Sequence, residues 1–420
     1  MGELFTAPVA HIAPGGAGIL RVKGQTIFME LTAPGDLVTG RITEEHRGWG
    51  RAELVELEEP SPLRTSPACP LYGTCGGCSL QHLSYEAQVN EKKTILKDLF
   101  IRVGRFTTLP PIRIRPSPPL EYRNRLQFHR VPPAPGQRRR GNRPREEPFP
   151  LGFKARKSNE IIPLPDCPVA VPELRLALRD RAITAPLEKD RFTVYARGGT
   201  LLSEGGRRRG KVKILDRELT LDAGVFFQSN GTVLERLIRD IGGIAAQAEG
   251  HLPMADIYCG VGTFGAFLGE GFSGIDLIEE NKTALALARE NVPGKGAAYY
   301  AQTGDLWVKT RKTLEKPPYG FIVVDPPREG LSAGIRDWLS REAPPFLAYV
   351  SCDPATLARD SRVLTEGGPY NLAELILYDF YPQTAHIETL AVFKKGGAEI
   401  PRPEAPPPEE DSLGITPRGA

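Results

Sequence analysis

A chain of 420 residues, 40% hydrophobic and 25% charged, has the make-up of an ordinary folded protein and a length that suits two or three domains. No apolar run approaches the roughly 18 residues of a membrane helix, and the opening MGELFTAPVAHIAPGGAG lacks the basic and apolar regions of a secretory leader, so a membrane-spanning class is excluded and a cytoplasmic protein with reduced thiols is expected. The net charge of +3 conceals a segregation: residues 101–160 hold 15 Lys and Arg against 4 Asp and Glu, while 396–420 hold 2 against 5.

In chain order, residues 1–58 carry short alternating runs, GILRVKG, TIFMEL and DLVTGRI, parted by Gly and Pro turns, the pattern of a small β-barrel. The stretch PGGAGILRVKGQTIFMELTAPGDLVTGRI resembles the TRAM domain, an RNA-binding barrel of the oligonucleotide-binding kind, with Lys23-Gly24 where its first hairpin commonly has Asp-Gly. The first six residues also fit the myristoylation pattern M-G-x-x-x-[ST], which is short enough to arise by chance.

A second part runs over 59–222. Its basic stripe, EYRNRLQFHR, interleaves Tyr122, Phe128 and His129 with Arg123, Arg125 and Arg130, a mixture that neutralises phosphates and stacks on unpaired bases. The following PPAPGQRRRGNRPREEPFP, 132–150, has too much Pro and Gly for packed structure and reads as a mobile insertion. Cys69, Cys75 and Cys78 are spaced C-x5-C-x2-C, and Cys167 in LPDCPV is a fourth thiol that fits a ligand set. Spacing leaves zinc and an iron–sulfur cluster both open.

The third part, 223–395, alternates strand-like and helix-like runs, as a parallel sheet covered by helices does. A tail, 396–420, reads as disordered. In DIYCGVGTFG the glycines Gly260, Gly262 and Gly265 let a nucleotide cofactor approach the backbone. Asp276, placed at the end of the second strand, is a candidate partner for ribose hydroxyls. Asp256, just before the loop, would repel a pyrophosphate but suits the ammonium of a methionyl group, which favours S-adenosylmethionine over NAD.

The decisive stretch is AYVSCDPATLARD, where Cys352 falls between a strand-like and a helix-like run. Ligands in such sheets sit at the carboxyl ends of strands, so Cys352 should face the cofactor crevice with Asp325 of FIVVDPPREG, and Glu388 near the same rim. Uracil C5 is too weak a nucleophile to accept a methyl group unaided. A thiolate adding at C6 makes C5 nucleophilic, and a carboxylate then removes the C5 proton.

FFQSN, DIYCGVGTF, DPPREG, SCDPATLARD and HIET, with the cysteine group and Cys167, resemble the bacterial RNA 5-methyluridine methyltransferases over nearly the whole chain apart from 132–150 and the tail. The resemblance implies an α/β fold: a Rossmann-like methyltransferase domain, an N-terminal oligonucleotide-binding-type barrel, and a central α+β domain that holds iron–sulfur and binds RNA. It implies Cys352 as nucleophile, Glu388 as proton acceptor, and Gln228, Tyr258, Asp276, Asp305 and Asp325, beside Gly260, around S-adenosylmethionine. It also implies that Cys69, Cys75, Cys78 and Cys167 hold a four-iron four-sulfur cluster. Asp276 stands where the family often has Glu, and Cys259 is expected to be a core thiol. Members with both the barrel and the cluster look like those that modify 23S ribosomal RNA, so a monomer acting on that RNA is the first expectation. Methylation of the tRNA T-loop is the enzymatic alternative. A non-catalytic RNA-binding or ribosome-assembly factor comes from a different class, and intact Cys352 and Glu388 argue against it. An amino-group methyltransferase is disfavoured because Arg328, rather than an aromatic residue, follows Pro326-Pro327.

Overall fold

The computed structural model describes residues 2–131, 150–186, 188–294, 296–311 and 317–396. The insertion expected at 132–150 and the tail expected at 396–420 lie, except for Pro150 and Gly396, outside the described residues.

Strands β1 (Leu4–Ile12), β2 (Gly18–Val22), β3 (Gln25–Met29), β4 (Leu37–His46) and β5 (Trp49–Glu59) close into a barrel in the order β1-β2-β3-β5-β4. Alternation explains it: Val9, Leu20, Ile27, Met29 and Val38 point inward and are buried, while their neighbours meet water. Buried Asp36 ties the barrel to the chain that follows it, accepting from the backbone of Ala33 (2.6 Å) and Ser61 (2.9 Å) and from Arg64 at 2.7 and 2.8 Å.

Helix α1 (Tyr85–Arg102), capped by Ser84, comes next, then β6 (Ile112–Arg115). A five-stranded antiparallel sheet, in the order β11-β10-β7-β8-β9, uses β7 (Arg125–Arg130), β8 (Leu151–Lys154), β9 (Ile161–Pro163), β10 (Arg191–Arg197) and β11 (Thr200–Ser203), with α2 (Pro172–Arg179) between β9 and β10. A hairpin, β12 (Arg209–Ile214) and β13 (Arg217–Asp222), completes this region.

The remaining elements are α3 (Gly231–Ala245), β14 (Met254–Ile257), α4 (Thr263–Leu268), β15 (Ile275–Ile278), α5 (Lys282–Asn291), β16 (Ala297–Tyr300), α6 (Gly304–Arg311), β17 (Phe321–Val324), α7 (Ala333–Glu342), β18 (Phe346–Ser351), α8 (Pro354–Thr365), β19 (Tyr370–Tyr378) and β20 (Glu388–Lys395). They form an eight-stranded sheet in the order β16-β15-β14-β17-β18-β20-β19-β6. Along β17, Phe321 and Val323 enter one core with α3, α4 and α5, while Ile322 and Val324 enter the other with α1, α7 and α8. Continuous burial of this kind is what helices on both faces of a sheet produce.

Two features depart from expectation. The sheet is mixed: β14 to β18 run parallel, but β20 is antiparallel to both β18 and β19, because a short loop folds the last two strands into a hairpin. The second part is also not one unit over 59–222. β6 pairs with β19 at the edge of the large sheet, and Ile95, Leu96 and Phe100 of α1 are buried against that sheet. Among the described residues no helix is long and apolar enough to cross a membrane.

Candidate active site

Strand order reverses on either side of β14, which has β15 on one side and β17 on the other, so a crevice opens at the carboxyl ends of β14 and β17. The turn after β14 is tight. Tyr258 (φ 66°) and Gly260 (φ 56°) are left-handed, and the N–H groups of Tyr258 and Cys259 both donate to Ile278 O. Gly262 (φ 79°) starts α4, and a Cβ there would meet Ala288 and Val292 at 3.0 Å. Beside Gly260 the space is open.

Several carboxylates converge here. Asp256 is fully buried at the root of the loop, where one oxygen accepts from Gly265 N–H at 3.0 Å and the other has no partner. Asp325 directly follows β17. Burial pushes both carboxyls up to about 7. Glu279, immediately after β15, accepts from Gly260 N–H (3.0 Å) and Asn281 N–H (2.8 Å). The Oε1 atoms of Gln228, before α3, and Gln302, after β16, are buried without partners. Asp305, in the first turn of α6, accepts from Ser332 Oγ at 2.6 Å and lies near the Tyr258 ring, whose hydroxyl burial holds above its usual range. An acidic crevice with unpartnered amide oxygens and room beside Gly260 fits a cationic nucleotide and opposes a pyrophosphate.

Asp276 is a correction. It is not at the end of its strand: β15 spans Ile275–Ile278, and Asp276, 8% exposed, faces the core, accepting from the Tyr319 hydroxyl with Arg311 at 3.8 Å. The carboxylate that ends the strand is Glu279, which sequence reasoning missed together with Gln302. Four consecutive buried residues in β15 give no alternation by which to count to its end.

Cys352 occupies the turn between β18 and α8. Asp353 caps that helix, accepting from Ala355 N–H (3.0 Å) and Thr356 N–H (2.9 Å), and Pro354 takes its first position. Ser351 pairs with Thr389 in the antiparallel β18–β20 ladder, and extending that register by one places Cys352 opposite Glu388. Glu388 is 7% exposed. Burial, with Glu388 and Asp325 alongside, pushes the Cys352 thiol up to about 12. Burial and Asp325 hold the Glu388 carboxyl well above the usual range, and Arg328 opposes both shifts. A cleft of about 340 Å³ in front of the thiol is walled by Arg328, Asp353 and His386, by Gly15 of the barrel, and by Gly76–Ser79 of the cysteine segment. Cys259 is buried in the core, as expected.

Cys69, Cys75, Cys78 and Cys167 line one cavity with Tyr72, Gln81 and Arg123. Burial raises Cys75, Cys78 and Cys167, neighbouring thiols add to each rise, and Arg123 opposes all three. Among the described residues no three His, Cys, Asp or Glu side chains stand close enough to hold one metal ion. The four thiols nevertheless line a single cavity.

The basic stripe also needs correcting. Tyr122 (5% exposed) and Phe128 (0%) are core residues and are closed to stacking on bases. Arg123 lines the thiol cavity and lies over the Tyr381 ring at 5.8 Å. Arg125 alone reaches an open aromatic surface, 5.3 Å over Phe226, which is 60% exposed.

Fold and crevice together define an S-adenosylmethionine-dependent methyltransferase. The tRNA (Uracil-5-)-methyltransferase family matches at residues 311–396, the span that carries Asp325, Cys352 and Glu388. The 23S rRNA (uracil(1939)-C(5))-methyltransferases of Shewanella denitrificans and Acidithiobacillus ferrooxidans are each 28% identical to the chain, covering 90% of it and 93% and 95% of themselves. The Pyrococcus abyssi tRNA (uracil-54, C5)-methyltransferase, solved with S-adenosyl-L-homocysteine, superposes with a TM-score of 0.67 at 24% identity, covering 93% of this chain and all of that one. Over nine-tenths of its length the chain is thus similar to RNA (uracil-C5)-methyltransferases, and its residues 311–396 match that family's model.

Proposed function

We propose that the protein methylates C5 of a uridine in 23S ribosomal RNA through a covalent bond between Cys352 and C6. The observation that carries this reading is the register that sets Cys352 opposite Glu388, with the thiol opening on a cleft shared with the barrel and the cysteine segment. S-adenosylmethionine, held by Gly260, Tyr258, Gln228, Glu279, Asp305 and Asp325, supplies a methyl group and a positive charge.

The Cys352 thiol is not activated at rest. A thiol pushed to about 12 keeps its proton at neutrality, so of the two routes to a thiolate, a lowered pKa at rest or proton loss on binding, the second is favoured. A cation entering beside Asp325 and Glu388 lowers every pKa in the group. With the thiol proton released to solvent through the cleft, Sγ bonds to C6, and the C5–C6 electron pair moves onto O4. C5 takes the methyl group, Glu388 accepts the C5 proton, and cleavage of the S–C6 bond restores the ring.

The barrel, read as TRAM-like, and the Arg125–Phe226 surface serve RNA binding. Cys69, Cys75, Cys78 and Cys167 hold a four-iron four-sulfur cluster that ties the 69–78 segment to Cys167 and takes no part in the chemistry. The enzyme acts as a cytoplasmic monomer. Labelled S-adenosylmethionine with purified 23S rRNA and tRNA, followed by nucleoside analysis, tests the assignment. 5-Methyluridine in 23S rRNA is the expected product. Label confined to tRNA would move the substrate, and label at an amino group would overturn the reaction.

A further inference from the structure

Glu388 is the first residue of β20, so its position depends on the loop that joins β19 to it. Most of that loop's contacts reach outside the methyltransferase strands. Gln383 is its hinge, a non-glycine residue held left-handed at φ 68° and therefore in need of outside support. Its carbonyl accepts from both Ser79 N–H and Leu80 N–H at 2.9 Å. Its N–H donates to Gln88 Oε1 (2.8 Å), its Oε1 accepts from Gln88 Nε2 (2.9 Å), and its Nε2 donates to Pro119 O (3.2 Å).

On either side of the hinge the pattern continues. Tyr122 Oη donates to Pro382 O at 2.9 Å, Lys92 Nζ to Tyr381 O at 3.0 Å, and Ala385 N–H to Ser79 Oγ at 3.1 Å. Ser79 directly follows Cys78, and its own carbonyl accepts from the Tyr72 hydroxyl at 2.8 Å. Gly16 of the barrel closes over the same spot: a Cβ there would come within 2.9 Å of Ser79 Oγ and 3.3 Å of Ala385 Cβ. The loop before the catalytic carboxylate is thus clamped from one side by the cysteine segment.

We propose that Ser79 and Gln383 are positioning residues for C5 proton removal: together they fix the loop that delivers Glu388 to the substrate, so the segment bearing the three clustered cysteines sets the geometry of the last chemical step. The inference rests on the proposed reaction and deepens it. Attack by Cys352 depends on the turn after β18, to which neither residue is hydrogen-bonded among the described residues, so the early steps should survive when the clamp is loosened.

The test uses Ser79→Ala, which removes one hydroxyl, and Gln383→Gly, which removes the side-chain bonds and suits the left-handed backbone. RNA with hydrogen or deuterium at C5 of the target is the substrate. In both variants kcat should fall about 10- to 100-fold, as small misplacements of a catalytic group do, and KM should fall with it, so that kcat/KM stays within about two-fold of wild type, because the slowed step follows irreversible methyl transfer. The C5 isotope effect should exceed that of wild type, and covalent enzyme–RNA adduct should accumulate on ordinary RNA. Gln383→Asn, which keeps an amide and tolerates the left-handed backbone, should recover part of the rate. Wild-type kinetics, an unchanged isotope effect, or a rise in KM at full kcat would overturn the proposal. If Gln383→Gly fails to fold, Ser79→Ala decides alone. Absence of product from wild type would instead overturn the reaction assignment, so the two failures are distinguishable.

Discussion

The chain uses cysteine in two neighbourhoods, and the contrast shows how environment assigns a role. Around Cys352 the neighbours are carboxyls, Glu388 and Asp325, with Arg328 opposing them, and the thiol opens on a cleft. Around Cys69, Cys75, Cys78 and Cys167 the neighbours are other thiols, with Arg123 opposing them, and the cavity is largely enclosed by apolar residues such as Leu71, Leu126, Phe153 and Leu164. Burial raises Cys352 in the first place and Cys75, Cys78 and Cys167 in the second. Beside Cys352 the charge comes from groups able to take up a proton, which suits acid–base chemistry. In the other cavity the thiols press on one another, which suits a shared cationic guest.

The largest effect expected of that contrast is on turnover. Cys352→Ala should lower kcat by at least about 10³-fold, as removal of a covalent nucleophile does, while equilibrium binding of S-adenosylmethionine stays close to wild type. Cys167→Ser should also leave cofactor affinity within about two-fold, but it should cost the bound iron and lower Tm by about 5 °C or more, neither of which Cys352→Ala should do. Anaerobically purified wild type should be brown, and stoichiometric zinc without iron would break this half of the comparison.

A pH series sharpens the carboxyl side. Asp325 folds with its carboxyl near 7, above its unfolded value of about 3.9, so it contributes stability below that value and loses it as pH rises toward 7. Asp325→Asn cannot titrate. The variant should therefore gain on wild type between about pH 4 and 7, by about 1.4 kcal/mol per pH unit, and hold a constant difference above 7. Thermal melts across that range check it, and a flat difference would remove the raised carboxyl from the account. The smallest effect separates two neighbouring arginines. Arg125→Ala should weaken RNA binding a few-fold and lower the salt slope by about 1, whereas Arg123→Ala should leave the slope alone and disturb the thiol cavity instead.

Local chemistry was legible in the sequence because short motifs carry it. The barrel alternation, the glycine turn and the residues between β18 and α8 all stand where the pattern put them. The misreadings came from placement rather than composition. Tyr122 and Phe128 looked like stacking residues beside arginines, but Leu126 and Phe128 of β7 turn inward while Gln127 between them faces out, a period-two alternation that composition alone conceals. Asp276 stands inside β15 rather than at its end, and β15 is too short and too uniformly buried for the sequence to show where it stops. The pairing of β6 with β19 joins segments far apart in the chain. Nothing local in either segment encodes it, and with it went the boundary of the second part.

The central claim, that Cys352 bonds to the substrate and Glu388 releases it, is tested most directly by RNA carrying 5-fluorouridine at the target. Fluorine cannot leave as a cation, so after attack and methyl transfer the enzyme should stay attached. Peptide mapping of the adduct should place it on Cys352, Cys352→Ala should form none, and Glu388→Gln should accumulate adduct even on ordinary RNA. A Cys352→Ala enzyme that still methylates C5, or an adduct mapped to Cys259, would contradict the account.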